Sequence, residues 1–180
     1  MKKIFFILVF MLFTMPVLAE DDAQTKSSWL THMGQAWHSS DYDLVIPVNT
    51  WHNRLTYDKE NIDGYNERPW GLGFGKRFYD EDKDLHSFVA MVFLDSHKDP
   101  EPIAGYQFQK KWYMGQNDDF SIGLGYSFGL TARSDYDWIP FPYIAPILSF
   151  QYKCLSLENT YIPGGRNNGN VLFSWLRIEF

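Results

Sequence analysis

The sequence predicts an all-β chain: an eight-stranded antiparallel transmembrane β-barrel with an N-terminal amphipathic helix. Three observations carry that prediction. An export-signal pattern opens the chain, long segments alternate with period two, and aromatic residues make up 18% of it. Aromatic rings tolerate the headgroup region of a bilayer, so a protein at a membrane boundary has a use for many of them.

The elements follow in order. Lys2 and Lys3, an apolar run over 4–12 and Val17-Leu18-Ala19 read as a signal segment, residues 1–19, cleaved after about Ala19. The run is too short for a membrane-spanning helix. Cleavage leaves 180 − 19 = 161 residues, and the loss of two lysines moves the formal charge from −6 to −8. That size suits one domain: an N-terminal segment with the helix over 20–41, and a barrel over 42–180.

Within the first segment, 27–38 has helical periodicity. Trp29, Leu30, Met33, Ala36 and Trp37 share one face, and Thr31, His32, Gln35 and His38 fall on the other. Such a helix suits a bilayer surface; the alternative is a helix plugging one end of a barrel. After it, candidate strands lie at about 42–57, 67–79, 86–96, 102–114, 119–133, 141–153, 155–163 and 170–180. The clearest sets Phe120, Ile122, Leu124, Tyr126, Phe128 and Leu130 against a face that includes Gly123, Gly125 and Gly129. At roughly 3.3 Å per residue it crosses a bilayer even when tilted. An even count of antiparallel strands after an export signal fits an outer-membrane barrel.

Two features depart from a generic barrel. The segments 87–94 and 171–175 are apolar on both faces, which predicts either a hydrocarbon slot or a packed core inside. Pro47, Pro69, Pro146 and Pro163 fall at strand positions, and proline cannot donate a ladder hydrogen bond. They predict incomplete pairing, as lateral openings for lipid or as ordinary strand ends and bulges.

Composition narrows the function. The acidic balance speaks against nucleic-acid binding. Cys154 is the single cysteine, so no intramolecular disulfide forms. The five histidines show no metal-ligand spacing, so no metal and no cofactor are expected. Asp95, Ser96 and His97 are hydrolase residue types, yet neighbours on an extended chain point to opposite faces and cannot form a triad with one another. His52, on a strand running the same way, can reach the same rim and act as base toward Ser96, with Asp95 orienting or polarising the group. The alternative is a polar turn cap.

The strings YDLVIPVNTWH (42–52), YDKE (57–60), YNERPWGLGFG (65–75), DS (95–96), EPIAGY (101–106), GLTAR (129–133), YIPG (161–164) and NNGNV (167–171) resemble the lipid A palmitoyltransferase (PagP) family over essentially the whole mature chain. The resemblance implies an outer-membrane enzyme that moves palmitate from the sn-1 position of a phospholipid to lipid A. It also implies resistance to cationic antimicrobial peptides. His52, Asp95 and Ser96 match the family's catalytic residues. The proline pairs match its lateral openings, one for phospholipid and one for lipid A, and Asp80 with Arg133 matches a pair across the wall. The chain departs from the family at Gln107, where a glycine floors the acyl pocket. It departs again at Asn61, a lipid A recognition position, at Arg166, a phospholipid gating position, and at His97, usually tryptophan. The expected partners are the phospholipid donor, the lipid A acceptor and the outer membrane, with the chain a monomer or homodimer. Two rival readings stay open: a non-catalytic barrel for adhesion or resistance, and an exported lipid-binding barrel.

Overall fold

The computed structural model describes residues 22–180; the expected signal segment lies outside them. Helix α1 spans Asp22–His38 and is followed by β1 (Asp41–His52), the short helix α2 (Lys59–Gly64), β2 (Gly71–Tyr79), β3 (Leu85–Leu94) and β4 (Pro100–Met114). Then come β5 (Phe120–Thr131), β6 (Phe141–Tyr152), β7 (Leu155–Ile162) and β8 (Val171–Glu179). The eight strands pair antiparallel in sequence order and close through β1 and β8. Each predicted strand is present, with ends shifted by a few residues.

Chain alternation sorts residues between lumen and outer wall. Leu72, Phe74, Val92, Leu124, Ile144 and Leu148 face outward and are exposed, giving the apolar band a bilayer requires. Trp51, Trp70 and Trp138 stand near one end of the strands, and Trp112, Phe120 and Tyr152 near the other, as interface girdles do. The inward face of β5 carries Ser121, Gly123, Ser127 and Thr131, as its alternation predicts. Gly129 lies opposite Gly105, and a Cβ on Gly129 would sit 2.5 Å from the Gly105 Cα, so the two strands meet closely there.

The lumen is not apolar throughout. Its half nearer the long connections is lined by Val45, Val89, Met91, Phe93, Ile147, Phe173 and Trp175. The half nearer the short turns is filled by polar side chains around a fully buried Arg177. Its guanidinium bonds Asp43 and Gln107, donates to Glu158 Oε1 at 2.9 Å from Nε and donates to Ser87 Oγ at 2.9 Å. Gln109 Nε2 donates to Glu158 Oε1 at 2.8 Å, and Trp175 Nε1 donates to Glu158 Oε2 at 2.6 Å. A buried charge is tolerable only with partners of this kind. The place expected for a slot or a packed core is therefore an apolar well over a polar floor, with Phe93, Phe173 and Trp175 packed on one another across it.

The prolines mark breaks in the wall. Pairing of β1 with β2 stops at Val45–Gly73, although β1 continues to His52; Pro47 and Pro69 border the gap. Pairing of β6 with β7 begins only at Leu148–Asn159, which leaves the Pro146 and Pro163 ends apart. Both openings lie in the apolar half. Beside the first, the register of β1 against β8 slips between Pro47 and Asn49, a bulge. Before it, Asp43, Val45 and Pro47 face in; after it, Thr50 and His52 do.

Helix α1 lies on the outer wall over β2 and β3, not in the barrel end. Ala36 is fully buried there, Trp29 packs on Tyr106 and Phe128, and Trp37 packs on Phe88. One expectation fails: His32, assigned to the polar face, stacks against Phe78 and His86 of the wall. The contact face runs through 29, 32, 33 and 36, the spacing of one helical stripe. A histidine ring is apolar enough to join it when the wall offers a polar partner. A second expectation also fails. Asp80 follows β2 at the turn end, whereas Arg133 follows β5 at the opposite end and meets Asp95, Glu101 and Asp135 instead. The two do not pair.

Candidate active site

The site sits at the mouth of the apolar half. His52 ends β1 with its ring inside and only 1% exposed, placed there by the bulge. Its Nε2 is 2.9 Å from Ser96 Oγ, within reach for proton transfer. Ser96 comes from the turn after β3, so the alternation that separates 95, 96 and 97 on a strand no longer applies.

The other imidazole nitrogen does not meet Asp95. His52 Nδ1 lies 3.2 Å from Glu67 Oε1, and the same oxygen accepts the His52 backbone N–H at 3.1 Å. Arg54 grips both Glu67 oxygens at 2.6 Å and also donates to the His52 carbonyl at 2.8 Å. That fork holds the Glu67 carboxyl well below its ordinary range, down to about 2. A fixed anion beside Nδ1 keeps the proton there and leaves Nε2 free to accept, the arrangement of a Ser–His–acid triad. Tyr57 and Tyr65 flank the imidazole with ring centroids 5.1 and 4.7 Å away, and the Tyr57 hydroxyl donates to the Gly169 carbonyl at 2.7 Å.

Asp95 is buried and has another task. Oδ1 accepts the backbone N–H groups of His97 and Asp99 at 2.8 and 2.9 Å, closing the turn, and Oδ2 lies 3.4 Å from Arg133 Nη2. Asn66 ties the same turn to the Glu67 segment: its N–H donates to the Ser96 carbonyl at 2.8 Å, and its side chain donates to the Asp95 carbonyl at 3.1 Å. The turn-cap reading thus fits Asp95, and the pair within proton-transfer distance is Ser96 with His52. His97 is half exposed, meets the Tyr65 ring edge to face and approaches Asp95.

The remaining positions fall into place around the well. Gln107 is buried, faces in and bonds Arg177, at the boundary between apolar wall and polar floor. Asn61 is half buried in α2, above the mouth. Arg166 is exposed and donates to Asp58 Oδ1 at 2.7 Å, while Asn167 donates to Oδ2 at 2.7 Å; together they link the β7–β8 loop to the β1–β2 loop. A cleft of about 460 Å³ lies between those loops, lined by Leu55, Tyr57, Gly165, Arg166 and Asn170.

Sequence reasoning missed Glu67. It stands in a loop, where no periodicity aims a side chain. The available signal was Glu67-Arg68 beside Pro69 in a segment otherwise rich in aromatics.

Residues 32–177 match a family described as antimicrobial peptide resistance and lipid A acylation protein PagP. The chain belongs to the PagP family. It is 54% identical over 154 residues to the lipid A acyltransferase PagP of Laribacter hongkongensis, covering 86% of this chain and 73% of that one. It is 47% identical over 163 residues to that of Yersinia enterocolitica, covering 91% and 80%. With that of Photorhabdus laumondii it shares 55% over 144 residues, covering 80% and 70%. The PagP match includes His52, Glu67 and Ser96, so the whole triad geometry lies within family sequence.

Proposed function

We propose that this chain is an outer-membrane lipid A acyltransferase that takes a palmitoyl or similar-length chain from the sn-1 position of a glycerophospholipid. The observation that carries the reading is a serine hydroxyl 2.9 Å from an imidazole, at the mouth of an apolar well that the bilayer reaches through two gaps. The acyl chain lies in the well, where each buried methylene contributes about 0.8 kcal/mol. His52 Nε2 takes the Ser96 proton as Oγ attacks the donor ester carbonyl. The tetrahedral centre collapses, the lysophospholipid oxygen leaves, and His52 returns the proton to it. A lipid A hydroxyl then attacks the acyl-serine, losing its proton to His52 and restoring Ser96. Glu67 is a positioning residue for His52, and Asp95 positions Ser96 through the turn. One gap admits the donor and the other lipid A; the added chain tightens the outer leaflet against cationic peptides.

Gln107 and Arg177 set the well's depth. A glutamine held up by a guanidinium shortens the space a glycine leaves, so the preferred chain is shorter than palmitate. Lipid A mass profiles of a strain given this gene test the reading. A new acyl chain is expected, and it is lost with Ser96→Ala or His52→Asn in folded protein. An acylated profile that survives both substitutions overturns the assignment. An unchanged profile with the native chain favours the non-catalytic barrel.

A further inference from the structure

At the turn end, on the outside of the wall, three side chains from three elements converge: His32 of α1, Asp80 of the β2–β3 turn and His86 of β3. One ligand atom from each lies within 4.8 Å of the others. Asp80 Oδ2 is 3.0 Å from His86 Nε2 and 4.0 Å from His32 Nδ1. Ligands of a tetrahedral ion with bonds of about 2.0–2.1 Å stand about 3.3 Å apart, so closing this set needs only small side-chain turns. Linear spacing shows no sign of it, because its members are 48 and 6 positions apart (80 − 32; 86 − 80) and only the docked helix unites them.

The surrounding contacts are arranged as ligation requires. Asp80 Oδ1 is already used, accepting the backbone N–H groups of Asp82 and Asp84 at 3.0 and 2.9 Å. That leaves Oδ2 turned to the two imidazoles. His86 is nearly fully buried, and its far nitrogen, Nδ1, is 2.5 Å from the Tyr106 hydroxyl. Metal-bound histidines are oriented this way, with the second nitrogen held by a partner so that the first presents its lone pair. Two imidazoles and a carboxylate suit zinc and its near neighbours, and a water completes four ligands. His32 remains 28% exposed, which leaves an entry path.

We propose that His32, Asp80 and His86 bind a zinc-class divalent cation that clamps helix α1 to the outer wall of the barrel. The helix already rests there on Trp29, Ala36 and Trp37, and the Lys76 ammonium donates to the Trp37 carbonyl at 2.7 Å. The ion adds a bond across that interface at its middle turn.

The test uses the full mature chain, without a histidine tag, folded in detergent micelles. Cobalt(II) titration is expected to give a saturable visible band of tetrahedral type at one ion per chain, displaced by zinc. His32→Ala abolishes the band, and Tyr106→Phe weakens binding by about 10–100-fold. Zinc is further expected to slow amide exchange over 29–38 in the parent chain but not in His32→Ala. The proposal fails if no band appears, if the band persists in His32→Ala, or if zinc slows exchange equally in both. His32 lies on a surface helix, so its variant tests the site even where His86→Ala does not fold.

Discussion

Toward the loops, the lumen is lined by Val45, Val89, Met91, Phe93 and Phe173, and two seams of the wall lie open beside it. Toward the turns, strands pair fully and the lumen is crossed by Asp43, Arg177, Glu158 and Gln109, each bonded to the next. The two halves share strands and divide the labour. The polar half buries charge, tolerable because Arg177 meets Asp43 and Glu158, and it closes the barrel. The apolar half gives up ladder hydrogen bonds at its prolines. The candidate site sits beside the open seams, and the buried charge network where the strands pair fully.

The sharpest way to break that comparison is to act on each half and ask which property moves. His52→Asn, at the open mouth, is expected to lower transfer by about 10²–10⁴-fold with little change in heat resistance, checked by turnover of radiolabelled phospholipid. Arg177→Leu, in the filled half, strands Asp43 and Glu158 without their cation and is expected to cost about 3–5 kcal/mol in urea unfolding from micelles. Reversed outcomes, with His52 governing stability and Arg177 governing only rate, end the division.

Glu67→Gln is the next largest. It keeps the shape but removes the anion beside His52 Nδ1, and transfer is expected to fall about 10–100-fold, less than the roughly 10²–10⁴-fold of a group that itself moves the proton. The same variant tests pH. The Glu67 carboxyl is depressed from 4.5 to about 2, so its contribution is full above about pH 4.5 and is lost as pH falls through 2. An acid limb of the rate profile above pH 5 therefore belongs to the imidazole. In Glu67→Gln that limb is expected to move to lower pH, since the anion that favours the imidazolium is gone. The smallest effect joins the halves. Gln107→Gly, at the floor, is expected to shift the preferred donor chain longer by one or a few carbons, each methylene being sensed at about 1 kcal/mol. Identical chain-length profiles remove that role.

Much of this was readable beforehand, and for definable reasons. Strand number and spacing follow from period-two alternation, as in 120–131, and the wall breaks follow from proline lacking a donor at 47, 69, 146 and 163. His52 and Ser96 were legible as residue types on parallel-running strands that end at one rim. What escaped needed the third dimension. Glu67 is aimed by a loop. The floor is built from Asp43, Gln107, Glu158 and Arg177 on four strands, each by itself only a polar residue in an alternating run. Asp80 and Arg133 were paired by likeness to relatives, but strand direction puts them at opposite ends.

The slip between Pro47 and Asn49 has a consequence for how such an enzyme changes over generations. Upstream of it odd-numbered side chains enter the cylinder, and downstream even-numbered ones do. Deleting the extra residue at the slip would restore plain alternation and keep the imidazole inside, whereas deleting one between the slip and His52 would turn it out among the lipids. Insertions and deletions between the slip and the imidazole are thus far more damaging than substitutions, and in those few residues the spelling must keep count.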